Sequence, residues 1–288
     1  MDDRSEIGEI LAAIGNEHRI AILYELQQAY RHDRSSLPYA TLKRRIGVRD
    51  SGNFNYHLQQ LVGRFVFQAD DGGYALTYAG RKIVSALSAG IFTEQAGERR
   101  FDAPGTCYAC DEAALIARYE QERLYITCQS CGEEVFHGPF PPAPVAHRDD
   151  RLRAFERWSR RWNALATTGT CPECGSEMNT TLTAQEPTTS IGNVSHRFLY
   201  TCTNCWARVY LPIGCAVRDH PAVIGFHTSH DVELDTQPLW DLPWALSCEY
   251  TTFDSDQSCV HLRIPIETDE LHLSVNDGGT IVSIAETG

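Results

Sequence analysis

Apolar residues recur at helical spacing through the first third of the chain. Ile7, Ile10, Leu11 and Ile14 fall on one side of a first helix, which Asn16-Glu17-His18-Arg19 interrupts. Ile20, Ile22, Leu23 and Leu26 predict a second helix, and residues 37–46 a short third one with Pro38 in its first turn. Residues 51–62 predict a fourth. Asp50 or Ser51 can cap it, and Phe54, Leu58 and Leu61 form its buried stripe. The opposite side then carries Asn53, Asn55, Tyr56, His57, Gln59 and Gln60. Alternation replaces the helical period over residues 65–77, around the hairpin turn Asp70-Asp71-Gly72-Gly73. Residues 78–90 return to helical spacing, with Ile83, Val84 and Leu87 together.

The remainder mixes both periods. Residues 114–119 and 124–127 alternate like strands, as do 196–200. Pro139, Pro141, Pro142 and Pro144 predict a stiff connector. Over residues 147–167, Leu152, Phe155, Ser159, Trp162 and Ala166 trace one helical face with Trp158 beside it. Arg153, Arg157, Arg160 and Arg161 project elsewhere, solvated or paired with Asp149, Asp150 and Glu156. Residues 221–228 predict a helix and 239–246 an apolar, Trp-rich stretch. Residues 250–253, 260–265, 270–275 and 280–285 predict meander strands, with Asn276-Asp277-Gly278-Gly279 as a hairpin turn. The expected class is α+β. Residues 1–97 form one domain. Residues 104–288 form a second region: about 104–140, a linking helix over 147–167, about 168–214, and a mixed α/β segment over 215–288.

Charge is distributed unevenly. The chain of 288 residues carries a formal charge of −13, yet residues 1–95 hold 11 basic and 11 acidic side chains. The whole excess of acid lies beyond them. Lys43, Arg44, Arg45 and Arg49 cluster without an acid between residues 41 and 49, and local potential is what meets phosphate. Lys43 and Lys82 are the only lysines, and low lysine with excess acid suggests adaptation to high salt. No apolar run approaches the roughly 20 residues of a membrane span. The start, MDDRSEIGEI, is unlike a signal peptide, so a cytoplasmic location is expected.

The helices, hairpin and closing helix of the first domain make a winged helix-turn-helix. Residues 16–26 (NEHRIAILYEL), 56–61 (YHLQQL) and 65–78 resemble the ArsR-type winged-helix regulators, in the form common in haloarchaea. The resemblance covers about the first third of the chain. It implies a homodimer built on the first and last helices, a recognition helix in the major groove and a wing over the backbone. The helix before the recognition helix, residues 40–46, has no Cys or His, so the metal-sensing site of that family is missing and its effector cannot be carried over.

On a recognition helix, amides can hydrogen-bond adenine edges, which makes Asn53, Asn55, Tyr56 and Gln60 the candidates for base contacts. Lys43, Arg44, Arg45 and Arg49 are the candidates for phosphate contacts, which position without specifying, and Ser51 and His57 are further candidates for DNA contact. Arg64 or Gln68 can reach the backbone from the wing. His57 reads more as a helix-packing or phosphate-contacting residue than as a metal ligand, since no cysteine is near it.

The chain has 11 cysteines, none before Cys107. Cys107 and Cys110 pair by spacing with Cys128 and Cys131, and Cys171 and Cys174 with Cys202 and Cys205. Two Cys-x-x-Cys knuckles joined by a hairpin are the zinc-ribbon pattern, with four thiolates around one tetrahedral ion. Two structural Zn²⁺ ions are therefore expected, each with no open coordination position. Cys215, Cys248 and Cys259 lack such partners and read as small buried hydrophobes.

These features lead to a DNA-binding transcriptional regulator, dimeric on double-stranded DNA, whose zinc-containing half senses an unknown effector or meets a protein partner. The alternative is a transcription-associated adaptor that uses both halves to bind proteins. No Gly-rich phosphate loop, open metal site or nucleophile elbow points to an enzyme.

Overall fold

The computed structural model of the chain describes residues 3–31, 36–92, 97–184, 194–254 and 259–288. The expected class holds at the coarse level: ten α-helices and several small antiparallel sheets are formed by the described residues. They make two compact units, Met1–Gln95 and Ala96–Gly288.

In the first unit the order is α1 (Asp3–Ile14), α2 (Glu17–Arg31), α3 (Tyr39–Ile46), α4 (Ser51–Leu61), β1 (Val66–Gln68), β2 (Tyr74–Leu76) and α5 (Tyr78–Ser88). Ile22, Leu23, Leu26, Leu42, Phe54, Leu58, Leu61 and Val84 close its core. The caps are local. Asp50 accepts the Gly52 N–H ahead of α4, Thr77 accepts the Gly80 N–H ahead of α5, and Gly47 ends α3 in the left-handed region at φ 77°. Leu37 departs from the expected third helix and bridges Tyr74 instead, with N–H···O distances of 2.9 and 2.8 Å. A residue before proline is pushed towards extended backbone, and Pro38 does that here.

The second unit begins with a four-stranded sheet in sequence order: β3 (Arg99–Asp102), β4 (Leu115–Glu120), β5 (Arg123–Cys128) and β6 (Glu134–Pro139). Where the prolines predict a stiff connector, Pro142 instead opens the short helix α6 (Pro142–His147), a position that suits proline. α7 (Arg151–Thr167) follows. Its buried face is Phe155, Glu156, Ser159, Asn163 and Ala166, rotated from the expected one, so Trp162 is half-buried and Trp158 is exposed. Arg160 on α7 pairs with Asp235 at 2.7 Å and Glu156 at 3.6 Å, while Asp150 pairs with Arg148 at 2.7 Å.

A three-stranded sheet comprises β7 (Met178–Ala184), β8 (His196–Cys202) and β9 (Arg208–Pro212). Then come α8 (Ile213–Val217), α9 (Pro221–Ser229), α10 (Pro243–Leu246) and a meander of β10 (Thr251–Phe253), β11 (Cys259–Ile266), β12 (Asp269–Asn276) and β13 (Ile281–Thr287). Val260, Leu262, Ile264, Leu271, Leu273 and Val275 bury one face of this meander.

Residues 215–288 are not a separate body. Trp240 stacks on Phe155 at 6.0 Å and 21°, and its indole N–H donates to the Pro104 carbonyl at 2.9 Å. Asp241 accepts the Thr106 N–H at 2.8 Å. One continuous apolar core runs from Cys107 to Val275. No helix of the described residues is long and apolar enough to cross a membrane.

Candidate metal centres and nucleic-acid face

Each Cys-x-x-Cys pair sits in a tight knuckle. The Cys107, Cys128 and Cys171 carbonyls accept the N–H groups of Asp111, Gly132 and Gly175 at 2.8, 2.9 and 2.8 Å. The residue after each pair has positive φ: 58° at Asp111, 81° at Gly132, 77° at Gly175 and 61° at Trp206. Glycine takes that conformation without strain, and Asp111 and Trp206 take it only because the knuckle imposes it.

The knuckles meet in pairs. Sulfurs of Cys107 and Cys131 lie 3.7 Å apart, and those of Cys110 and Cys128 also 3.7 Å. In the second cluster Cys171 and Cys205 are 3.6 Å apart, and Cys174 and Cys202 3.5 Å. A tetrahedron of thiolates bound at about 2.3 Å has edges of roughly 3.8 Å, so both groups fit one metal ion. A disulfide would need about 2.05 Å. Burial pushes the Cys107 thiol up to about 12, and a cation among the four sulfurs would favour their thiolate forms. The Ser176 hydroxyl and amide hold Cys174 down at about 6. Both predicted four-cysteine sets are thus brought together with all their members.

A third group escaped sequence reasoning because its spacing is irregular. Asp254, Cys259 and His261 offer ligand atoms that all lie within 4.8 Å of one another. Cys259 is half-buried on the outer face of β11, as is Cys248 in its short turn, and neither fits the expected buried hydrophobe. Cys215 does fit, and burial pushes its thiol up to about 12.

On α4, Asn53, Asn55, Tyr56, Gln59 and Gln60 are exposed, with Ser51 at its first turn. His57 does not lie on the exposed side with them: it is 8% exposed, with its ring 5.2 Å from that of His18, which fits the helix-packing reading and removes it from the DNA-facing set. Burial first, then His18 and Arg19, hold its pKa below the ordinary value. The basic cluster meets the start of α4. Tyr39, Lys43, Arg44, Arg49 and Ser51 line one shallow groove of about 530 Å³. Lys43 donates to the Ser51 hydroxyl, and the Tyr39 hydroxyl donates to the Ser51 carbonyl at 3.2 Å. Tyr39 was not legible as part of this set. Arg45 turns away to Glu25 at 3.4 Å. In the hairpin Arg64 is exposed, while Gln68 donates back to the Gly72 carbonyl at 3.2 Å.

A larger groove, about 750 Å³, lies between β5, β6, α7 and β9. Tyr125, Trp158, Trp162, Tyr210, Ser159 and Asn163 line it, and the buried Ser159 hydroxyl and Asn163 amide nitrogen have no hydrogen-bond partner among the described residues.

Residues 104–281, more than half of the chain, match the family model described as "Domain of unknown function (DUF7351)". The chain belongs to the DUF7351 family. Residues 8–87, inside the first unit, match a second model, "Domain of unknown function (DUF7347)". No curated protein and no solved structure matches the chain.

Proposed function

We propose that this protein is a DNA-binding transcriptional regulator of the winged helix-turn-helix type. The observation that carries the reading is the groove at the start of α4. Lys43, Arg44 and Arg49 surround the first turn of a helix whose exposed side is made of amides and Tyr56, with no acid. Phosphate-binding side chains at one end and base-reading side chains along the helix are the two parts such a helix needs. The order α3, α4, hairpin, α5 fits the ArsR-type resemblance, with β1 and β2 as the wing. Ile7 and Leu11 on α1, and Ile91 and Phe92 beyond α5, are exposed apolar side chains. They suit a homodimer through the first and last helices, which would set two recognition helices about one DNA turn apart.

Both four-cysteine groups would hold Zn²⁺ as closed structural sites, since zinc favours four thiolates in a tetrahedron. The aromatic groove beside α7, with its two unpartnered polar groups, is where a small effector would bind.

The test is a fluorescence-anisotropy titration of the zinc-loaded protein with its own upstream DNA and a scrambled duplex, each at two KCl concentrations. Preference for the native duplex, with affinity falling as salt rises, is the expected result. A second reading, a transcription-associated adaptor, draws on Trp206, which is 74% exposed at the tip of a knuckle. Failure to bind any duplex, together with retention of a transcription protein through Trp206, would replace the first reading by the second.

A further inference from the structure

The C-terminal meander gathers a carboxylate, a thiol and an imidazole on its outer face. Cys259 and His261 are two residues apart on β11, so they share the side opposite the buried Val260 and Leu262. β10 pairs Thr252 with His261, and Asp254 follows it, its N–H donating to the Cys259 carbonyl at 3.2 Å. Asp254 therefore lies on the same side. The His261 Nε2 is 2.8 Å from Asp254 Oδ1, and Nδ1 is 2.9 Å from the Ser274 hydroxyl across the strand pair.

A carboxylate, a thiol and an imidazole whose ligand atoms all lie within 4.8 Å of one another are a donor set suited to a borderline divalent ion. Ser274 holds the imidazole by its far nitrogen, as the outer partners of ligating histidines do, and this leaves Nε2, on the Asp254 side, as the ligand atom.

We propose that Asp254, Cys259 and His261 form a third metal site, for a borderline divalent ion of the Zn²⁺ or Co²⁺ type. The sulfur and nitrogen donors select against Mg²⁺ and Ca²⁺, which take oxygen ligands. On binding, the thiol releases its proton to solvent, and the imidazole carries its single proton on Nδ1, donated to the Ser274 hydroxyl, so that the Nε2 lone pair is left for the ion. The thiolate and carboxylate then balance the ion's charge. Three protein ligands leave one position for water or an incoming ligand, unlike the closed four-cysteine groups. With one thiolate in place of four, and a half-exposed setting, this ion exchanges while the other two stay bound. The site does not depend on the DNA-binding reading.

The test uses the full chain with Co²⁺, followed by metal analysis and thiolate-to-cobalt absorption. The wild type is expected to hold three ions. A weak chelator should then lower the count to two with no loss of helical signal. Cys259→Ser and Asp254→Asn should each hold two. Ser274→Ala should keep three but bind the third about ten-fold more weakly, the size of effect that loss of an outer partner gives. Because the substituted side chains lie off the buried face, retention of two tight ions reports an intact fold. Should Cys259→Ser lose those, Asp254→Asn decides. A wild type that holds only two ions, or a third that survives the Cys259→Ser, Asp254→Asn double substitution, overturns the proposal.

Discussion

The Cys171 and Cys205 sulfurs lie 3.6 Å apart, although 34 positions separate them in the chain. Cys171 and Cys202 are buried in the same core as Cys107, Cys128, Phe155 and Trp240, so neither cysteine group is an independent knot. Chelation of both metals is expected to unfold residues 104–281 in a single transition and to leave the first unit's helices largely intact. A structural zinc contributes on the order of 10 kcal/mol of folding free energy, comparable with a domain's whole stability. Cys171→Ser should therefore release the metal of the first group as well as its own. Zinc release followed with a metallochromic dye, beside circular dichroism and limited proteolysis, checks this. Survival of the first group in Cys171→Ser would show that the shared core does not couple them.

In the proposed reading, Arg44 and Asn55 belong to two different kinds of DNA contact. Arg44 lines the groove at the start of α4, and Asn55 lies on the exposed side of the helix. Arg44→Ala should weaken binding to native and scrambled duplexes alike and reduce the salt slope by about one. Asn55→Ala should cost about 1–3 kcal/mol on the native duplex alone, narrowing the difference between the two. Parallel losses in both variants, read by anisotropy at two salt concentrations, would contradict the assignment.

Gly80 marks where the hairpin closes on α5. A Cβ built there would lie 2.2 Å from the Phe65 carbonyl oxygen and 3.1 Å from Leu76. The same carbonyl accepts the Thr77 N–H at 3.0 Å, so it cannot retreat without losing that bond. Gly80→Ala is expected to destabilise the first unit by about 1–3 kcal/mol through overpacking. Thermal melts give the size. Gly8→Ala serves as the control, since nothing lies within 4 Å of a Cβ there.

What was legible follows from what each signal encodes. Cys-x-x-Cys spacing is local, so both four-cysteine groups could be assembled from the sequence. The turns at Asp70–Gly73 and Asn276–Gly279 carry their own backbone requirement and stand where expected. His57 departs from the exposed side because it follows Phe54 by three residues, inside the buried stripe that continues to Leu58 and Leu61. The rotation of α7 escaped because Glu156 and Asn163 are buried polar residues, which an apolar pattern does not mark. Asp254, Cys259 and His261 meet through strand register, and Trp240 meets Pro104 across 136 positions; neither relation leaves a local trace.

The buried imidazole of His57 gives the first unit a pH dependence with a definite sign. Its Nδ1 has no hydrogen-bond partner among the described residues, and His18 and Arg19 add positive charge beside it. Burial and then these cations hold the folded pKa below the ordinary value of about 6.5. Between the two values the unfolded chain takes up a proton that the folded chain refuses. The contribution is thus fully present above about pH 6.5 and is lost as pH falls towards the folded value. In the full chain, the His57 Cε1–H resonance should titrate below the midpoint of an exposed histidine. From pH 7 to pH 5 the wild type should lose more stability than His57→Gln, which keeps a polar ring-sized side chain without the titration. If His57 titrates at or above the ordinary value, or the two proteins lose stability equally, burial does not govern its protonation.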